Sequence, residues 1–144
     1  MKHEEYMKMA LELALKAADE GEIPVGAVIV CDDRVIAKAS NSKEADGCSI
    51  SHAEINAIKQ TGRKYLEDCI LYVTLEPCPM CAGAIINSRV GRVVFGAYDE
   101  KGGACGSVCN LFEMPFNHRP YVTGGVCEQE CVNILRSFFE EKRK

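Results

Sequence analysis

No stretch of the 144-residue chain is apolar for long enough to cross a bilayer, and the opening MKHEEYMKMA lacks the apolar core of a secretion signal. Those two absences set the expectation of a cytoplasmic protein with no membrane association. Basic charge is not in excess either, since 17 Lys and Arg stand against 21 Asp and Glu, a net charge of −4. That balance opposes a broadly basic nucleic-acid binder but leaves room for a local basic patch. Internal repeats, low-complexity tracts and linkers are lacking. The chain therefore reads as one domain over residues 1–144, long enough to bury a sizeable core.

What the chain has in quantity is cysteine, nine in all. The number is odd and no export signal is recognisable, so a closed disulfide framework does not fit. The cysteines divide instead into candidate metal ligands and small residues of the core.

Residues 3–19 predict an amphipathic helix. Tyr6, Ala10, Leu13 and Ala17 recur at helical spacing, Met7, Leu11 and Leu15 widen the stripe, and Glu4/Lys8 and Glu12/Lys16 pair on the polar side. VGAVIVC (25–31) and VIAKAS (35–40) predict a hairpin about DDR. A polar loop, NSKEADGCSI, leads to a helix over 52–59, with Ser51 as its N-cap and Ile55 and Ile58 facing inward. CILYVTL (69–75) is nearly continuous apolar β-former sequence, expected as a central strand buried on both faces. PCPMCAGAIINS (77–88) predicts a helix and VVFGA (93–97) a strand parallel to the previous one, a right-handed βαβ unit. Residues 98–120 are irregular, long enough for a functional loop. YVTGGV predicts a last short strand, and EQECVNILRSFFEEK a C-terminal helix that ends in Lys142, Arg143 and Lys144.

His52 and Glu54, in SHAE, are two residues apart and so on nearly opposite sides of a helix. One site can use both only if it lies off the helix end, near the axis. PCPMC supplies the partner. Cys78 and Cys81 are one turn apart at a helix N-terminus, where free N–H groups favour thiolates. Two thiolates and the His52 imidazole make three ligands for zinc and leave a fourth position open, the mark of a catalytic ion. Glu54 is then the carboxylate that takes and returns a proton. Two helix N-termini, at Ser51 and Pro77, would converge at the ends of neighbouring strands, where open α/β sheets place their sites. Taken singly, a CxxC is often a redox pair or half of a structural zinc site, and one His near a helix start a surface residue or cap. Together, H-x-E followed by P-C-x-x-C is the signature of zinc nucleobase deaminases.

The stretches GEIPVGAVIV, SHAEINAI, LYVTLEPCPMCAGAIINSRVGRVVFGA, KGGACGS, FNHRP and ILRSFFEEKRK span nearly the whole chain. They resemble the bacterial tRNA-specific adenosine deaminases of the cytidine deaminase-like superfamily. The zinc motifs fit any member of that superfamily, while the late loop and C-terminal helix favour the tRNA branch. The resemblance implies a three-layer α/β/α fold with a mixed five-stranded sheet and helices on both faces. It implies hydrolytic deamination of adenosine to inosine at the wobble position of a tRNA anticodon, with one zinc per chain on His52, Cys78 and Cys81. Zinc-activated hydroxide would attack C6 of adenine, and Glu54 would deliver protons to N1 and to the departing ammonia. Asn41 and the backbone of Ala53 would hold the base edge, and Val25 would form part of the pocket wall. Asp99, Lys101, Asn117, Phe139 and Arg143 match positions along the RNA path of the anticodon stem-loop. The family is also homodimeric. The run before His52, DGCSIS, departs from the Asp-Pro-Thr-Ala run of many members.

Such chemistry needs an unstacked base, which an anticodon loop supplies. Of the adjacent Phe138 and Phe139, one or both read as core, with Phe139 the stacking candidate. Lys142–Lys144 either complement the helix dipole or contact phosphate. His118 has no ligand spacing to the cysteine pair and reads as a loop or RNA-facing residue. Cys105 and Cys109 with Cys127 and Cys131 form two C-x3-C pairs, an alternative structural zinc site. Rival functions are a free guanine, cytosine or nucleoside deaminase, a zinc-stabilised RNA-binding module, and a thiol-redox protein. The module has no use for Glu54 beside an open metal position.

Overall fold

The computed structural model describes residues 2–142. Its elements in chain order are α1 (His3–Asp19), β1 (Gly26–Cys31), β2 (Arg34–Ser40), α2 (Lys43–Asp46), α3 (Ala53–Gln60), β3 (Cys69–Leu75), α4 (Pro79–Ser88), β4 (Arg92–Ala97), β5 (Tyr121–Thr123) and α5 (Glu128–Lys142). The strands form one mixed sheet in the order β2-β1-β3-β4-β5. β1 is antiparallel to β2 and β3, whereas β3, β4 and β5 run parallel.

Alternation along the strands sends side chains into two separate layers. Ala27, Ile29, Leu71, Val73, Val93 and Phe95 face a core completed by Ala53 and Ala57 of α3 and Ala82 and Ile85 of α4. Val28, Val30, Tyr72 and Val94 face the opposite core, closed by Tyr6, Met7 and Ala10 of α1 and Cys131 of α5. This is the expected three-layer α/β/α arrangement, and β3 is indeed central and buried on both faces. Close seating of α1 depends on Gly26, where a Cβ would run into the Ala10 carbonyl.

Several local expectations are corrected. The buried face of α1 is Tyr6, Met7, Ala10, Leu11, Ala14 and Ala17, and Leu15 is 53% exposed. At 100° per residue Leu15 falls on the flank, and small Ala14 holds the position nearest the sheet. The polar loop contains one short helical turn, α2, which ends at Gly47 in the left-handed region (φ 60°). On α3 the buried residues are Ala53, Glu54 and Ala57; Ile58 packs against the core as expected, whereas Ile55 is only half-buried. β5 stops at Thr123, short of the predicted YVTGGV.

The four-cysteine zinc site does not assemble. Cys105 belongs to the α3/α4 core and Cys131 to the α1/α5 core, on opposite faces of the sheet. No candidate metal cluster among the described residues includes Cys105, Cys109, Cys127 or Cys131, and all nine cysteines are free.

Candidate metal centre and active site

The site sits where β3 ends and α3 and α4 begin. His52 is the N-cap residue of α3 and Cys78 that of α4, both in extended backbone (φ −78°, ψ 154° and φ −77°, ψ 174°). An extended N-cap projects its side chain beyond the helix end. Cys81, three residues past Cys78, turns back toward it, as N-cap and N3 side chains do. The expected N-cap, Ser51, does not cap α3. Instead Asn41, from the end of β2, accepts the Ala53 N–H through Oδ1 at 2.8 Å. A distant side chain caps the helix, and the His52 ring is left to face the cysteines.

His52 Nδ1 lies 3.6 Å from Cys78 Sγ and 3.5 Å from Cys81 Sγ. Zn–S and Zn–N bonds at a tetrahedral angle place such donors about 3.6 Å apart. The spacing fits three ligands of one zinc, and it identifies Nδ1 as the nitrogen that faces the metal position, which the sequence left open. The protonation pattern agrees. A hydrogen bond from the Cys81 thiol, aided by the N–H groups of Cys81 and Met80 and by His52, overcomes burial and pulls Cys78 down to about 5. Cys81 is pushed up by the same pairing and by burial, so it keeps its proton. The pairing thus favours the thiolate at Cys78 and the thiol at Cys81.

Glu54, in the first turn of α3, is 3% exposed. Burial pushes its carboxyl up to about 7, and the charge of Cys78 adds to this, against hydrogen bonds from its own backbone N–H and the Cys81 thiol. A carboxyl held near neutrality both accepts and returns protons. Glu54 shares a cavity of about 180 Å³ with Val25, Asn41, His52, Cys78 and Asp99. The volume is below the ~300–1,000 Å³ of drug-sized sites and suits one planar base. With Oδ1 occupied, Nδ2 is the donor that the Asn41 amide has left to offer at this wall. The Ala53 N–H donates to Asn41, which itself lines the cavity. A larger groove of about 530 Å³ between α1 and α5, lined by Leu15, Ala18, Ile134 and Phe138, carries no metal-ligand cluster.

Two carboxylates escaped the sequence reading. Glu76, 2% exposed, follows β3 and accepts the N–H groups of Asp99 (3.0 Å), Cys105 (3.0 Å) and Ser107 (3.1 Å), together with the Ser107 hydroxyl. Burial raises its pKa, but these hydrogen bonds outweigh burial and hold it below the ordinary carboxylate value. Gly103 packs on this carboxylate where no Cβ fits. Glu76 thus ties the loop after β4 against the cavity. Glu22 likewise accepts the N–H groups of Glu44 and Ala45 at 3.0 and 2.8 Å, anchoring α2 and cavity-lining Lys43. The signal available was a charged residue abutting an apolar strand, LEPC for Glu76 and GEIP for Glu22.

The residues read as RNA-facing scatter more widely. Asp99 lines the cavity and Lys101 is exposed on the loop that Glu76 holds. Phe139 is 44% exposed on α5, and half-buried Phe138 joins Lys142 in the groove beside Gly21, four residues before Val25. Asn117 lies in a surface hollow with Ile86 and Arg89 at the far end of α4, about 15 Å along the helix from Cys78. His118 is structural, its Nε2 2.7 Å from the Val90 carbonyl. Arg143 lies outside the described residues.

Comparison with known proteins agrees with this geometry. The zinc-binding region of cytidine and deoxycytidylate deaminases matches residues 1–97. The tRNA-specific adenosine deaminase of Bacillus subtilis is 51% identical over 96% of this chain and 89% of its own length. That of Haemophilus influenzae is 46% identical over 98% of this chain and 85% of its own. A solved structure from studies of A-to-I editing by tRNA:A34 deaminases superposes with a TM-score of 0.88 at 42% identity, covering 91% of this chain and 99% of that one.

Proposed function

The chain belongs to the zinc-dependent cytidine and deoxycytidylate deaminase family, among the tRNA-specific adenosine deaminases, and from that premise we propose that it converts adenosine to inosine at the wobble position of a tRNA anticodon. The observation that carries the reading is a buried carboxyl, Glu54, in a base-sized cavity beside the three-donor cluster of His52, Cys78 and Cys81.

Zinc on those three residues supplies a Lewis acid that makes a water molecule acidic near neutral pH. The chain's own groups do the rest. The Asn41 Nδ2 amide holds an acceptor on the base edge and Val25 bounds the ring. Glu54 takes a proton from the attacking water and gives it to adenine N1, then takes the remaining hydroxyl proton at C6 and passes it to the departing amino group. Water adds at C6, ammonia leaves, and inosine remains, so atoms and protons balance. The cavity admits a base only when it leaves its stack.

In this reading residues 1–144 act as a single deaminase domain in the cytoplasm, and no helix among the described residues is long and apolar enough to cross a membrane. Asp99, Lys101, Asn117, Phe139 and Arg143 serve the anticodon stem-loop. The chain works as a homodimer, which the exposed Met114, Phe116 and Tyr121 would help to form. A dimer also gives Asn117, remote from its own cavity, a route to RNA bound at the partner's. The test is incubation with an anticodon stem-loop bearing wobble adenosine, beside free bases and nucleosides. Inosine in the RNA is expected. Turnover of free guanine or cytosine with the RNA untouched would overturn the proposal in favour of a free-base deaminase.

A further inference from the structure

At the opposite end of β3 from the active site lies a second group of metal-ligand type that the deaminase reaction does not use. Cys31, the last residue of β1, is the cross-strand partner of Cys69, the first of β3, and Asp68 immediately precedes Cys69. One donor atom from each of the three lies within 4.8 Å of the other two. Asp68 accepts from Cys31 Sγ at 3.0 Å and from Cys69 Sγ at 3.5 Å. The three already converge on one cation. Arg63 Nη1 is 3.4 Å from both sulfurs, and its Nη2 is 2.7 Å from Asp68 Oδ1.

We propose that Cys31, Asp68 and Cys69 form a second site for a soft divalent cation of the zinc and cadmium class, distinct from the deaminase centre. Thiolate and carboxylate ligands on a tetrahedral ion lie about 3.5 Å apart, close to the contacts observed. Two sulfurs select soft ions over magnesium or calcium. Cys69 is buried and held by the sheet, while the side chains of Asp68 and Arg63 are 52% and 39% exposed, which leaves an entry path. Binding replaces the two thiol protons, which pass to solvent. Two thiolates, one carboxylate and a divalent ion leave one negative charge. Arg63 vacates the position between the sulfurs. The site is six residues, about 20 Å, along β3 from Leu75.

The full-length protein, saturated with Zn2+ or Cd2+ and freed of loose ions, is assayed for metal per chain. Two ions are expected in the wild type and one in Cys31→Ser, which keeps its deaminase activity. Cys78→Ser retains the ion that Cys31→Ser loses. Arg63→Ala, which clears the position the ion takes, holds the second ion at least as tightly. A wild type that stops at one ion lost with Cys78→Ser overturns the proposal. So does a second ion that persists in Cys31→Ser or disappears in Arg63→Ala. Retention of both ions by Cys78→Ser would count against the catalytic zinc reading instead, so the two failures are distinguishable.

Discussion

Replacing Glu76 with alanine takes one acceptor from three backbone N–H groups at once, those of Asp99, Cys105 and Ser107. A hydrogen bond to a charged group contributes roughly 1.5–3 kcal/mol, so the gross loss is about 5–9 kcal/mol. Water recovers part of it, because Ser107 and Lys101 are exposed and the loop can open to solvent. The buried Cys105 N–H has less access to replacement water. A net loss of about 3–5 kcal/mol is therefore expected, the range for deleting a buried charge partner. Against a total stability of ~5–15 kcal/mol, that lowers the melting temperature by about 6–20 °C. Glu76→Gln keeps the shape but points an amide at donors, and should fall between wild type and alanine.

Thermal unfolding measures the stability loss, and amide hydrogen exchange tests its cause, since Asp99, Cys105 and Ser107 should lose protection before the strands do. Zinc content should persist, because the ligands are on α3 and α4. The pH dependence has a definite sign. The folded pKa of Glu76 lies below the ordinary 4.5, so its contribution is complete above 4.5 and is lost as pH falls through the folded value. The wild type should shed this stability in acid, and Glu76→Ala should lack that component. Unchanged Cys105 protection in Glu76→Ala, or the same acid limb as wild type, would refute the clamp.

Glu54→Ala should keep zinc and fold while deamination falls by about 10²–10⁴-fold, the usual worth of general acid–base catalysis; full activity in a single-turnover assay would remove Glu54 from the mechanism. Asn41→Ala should cost about 1 kcal/mol as a lost helix cap and lower kcat/KM further through loss of the Nδ2 donor, whereas Asn41→Asp should restore the cap in denaturant melts but not the activity. Cys78→Ser, or a strong chelator, should abolish turnover, and chelated wild-type enzyme should recover on adding zinc; activity untouched by chelation would favour a thiol-redox role. Leu71→Ala, in the centre of the sheet, should destabilise by about 2–5 kcal/mol without altering metal content, measured by melting and elemental analysis.

α1 and β3 were legible because α1 buries one stripe, which leaves a helical period, and β3 buries both faces, which leaves a nearly continuous apolar run. The candidate metal ligands were legible because two fall on a single helical turn, and the third sits two residues from a carboxylate with no reason to share its helix face. Neighbours in sequence are constrained by local geometry, which makes spacing informative. The failures have the opposite character. Ser51 looked like the cap of α3, but Asn41, eleven residues before His52, takes that part. Glu76 reaches Ser107 across 31 residues, and nothing near Glu76 announces that loop. The sheet separates Cys105 from Cys131, although their C-x3-C pairs looked matched. It also brings Cys31 beside Cys69 from 38 positions away.

By itself, then, the sequence determined most of the elements and the candidate zinc ligands and proton shuttle, because helical turns, strand runs and the H-x-E and C-x-x-C spacings are local. Only the tertiary structure decided which His52 nitrogen faces the cysteine pair, why burial raises the Glu54 carboxyl, and which buried carboxylates brace the cavity. Desolvation and capping at a distance belong to whatever segments the fold packs together, and sequence spacing does not encode that distance.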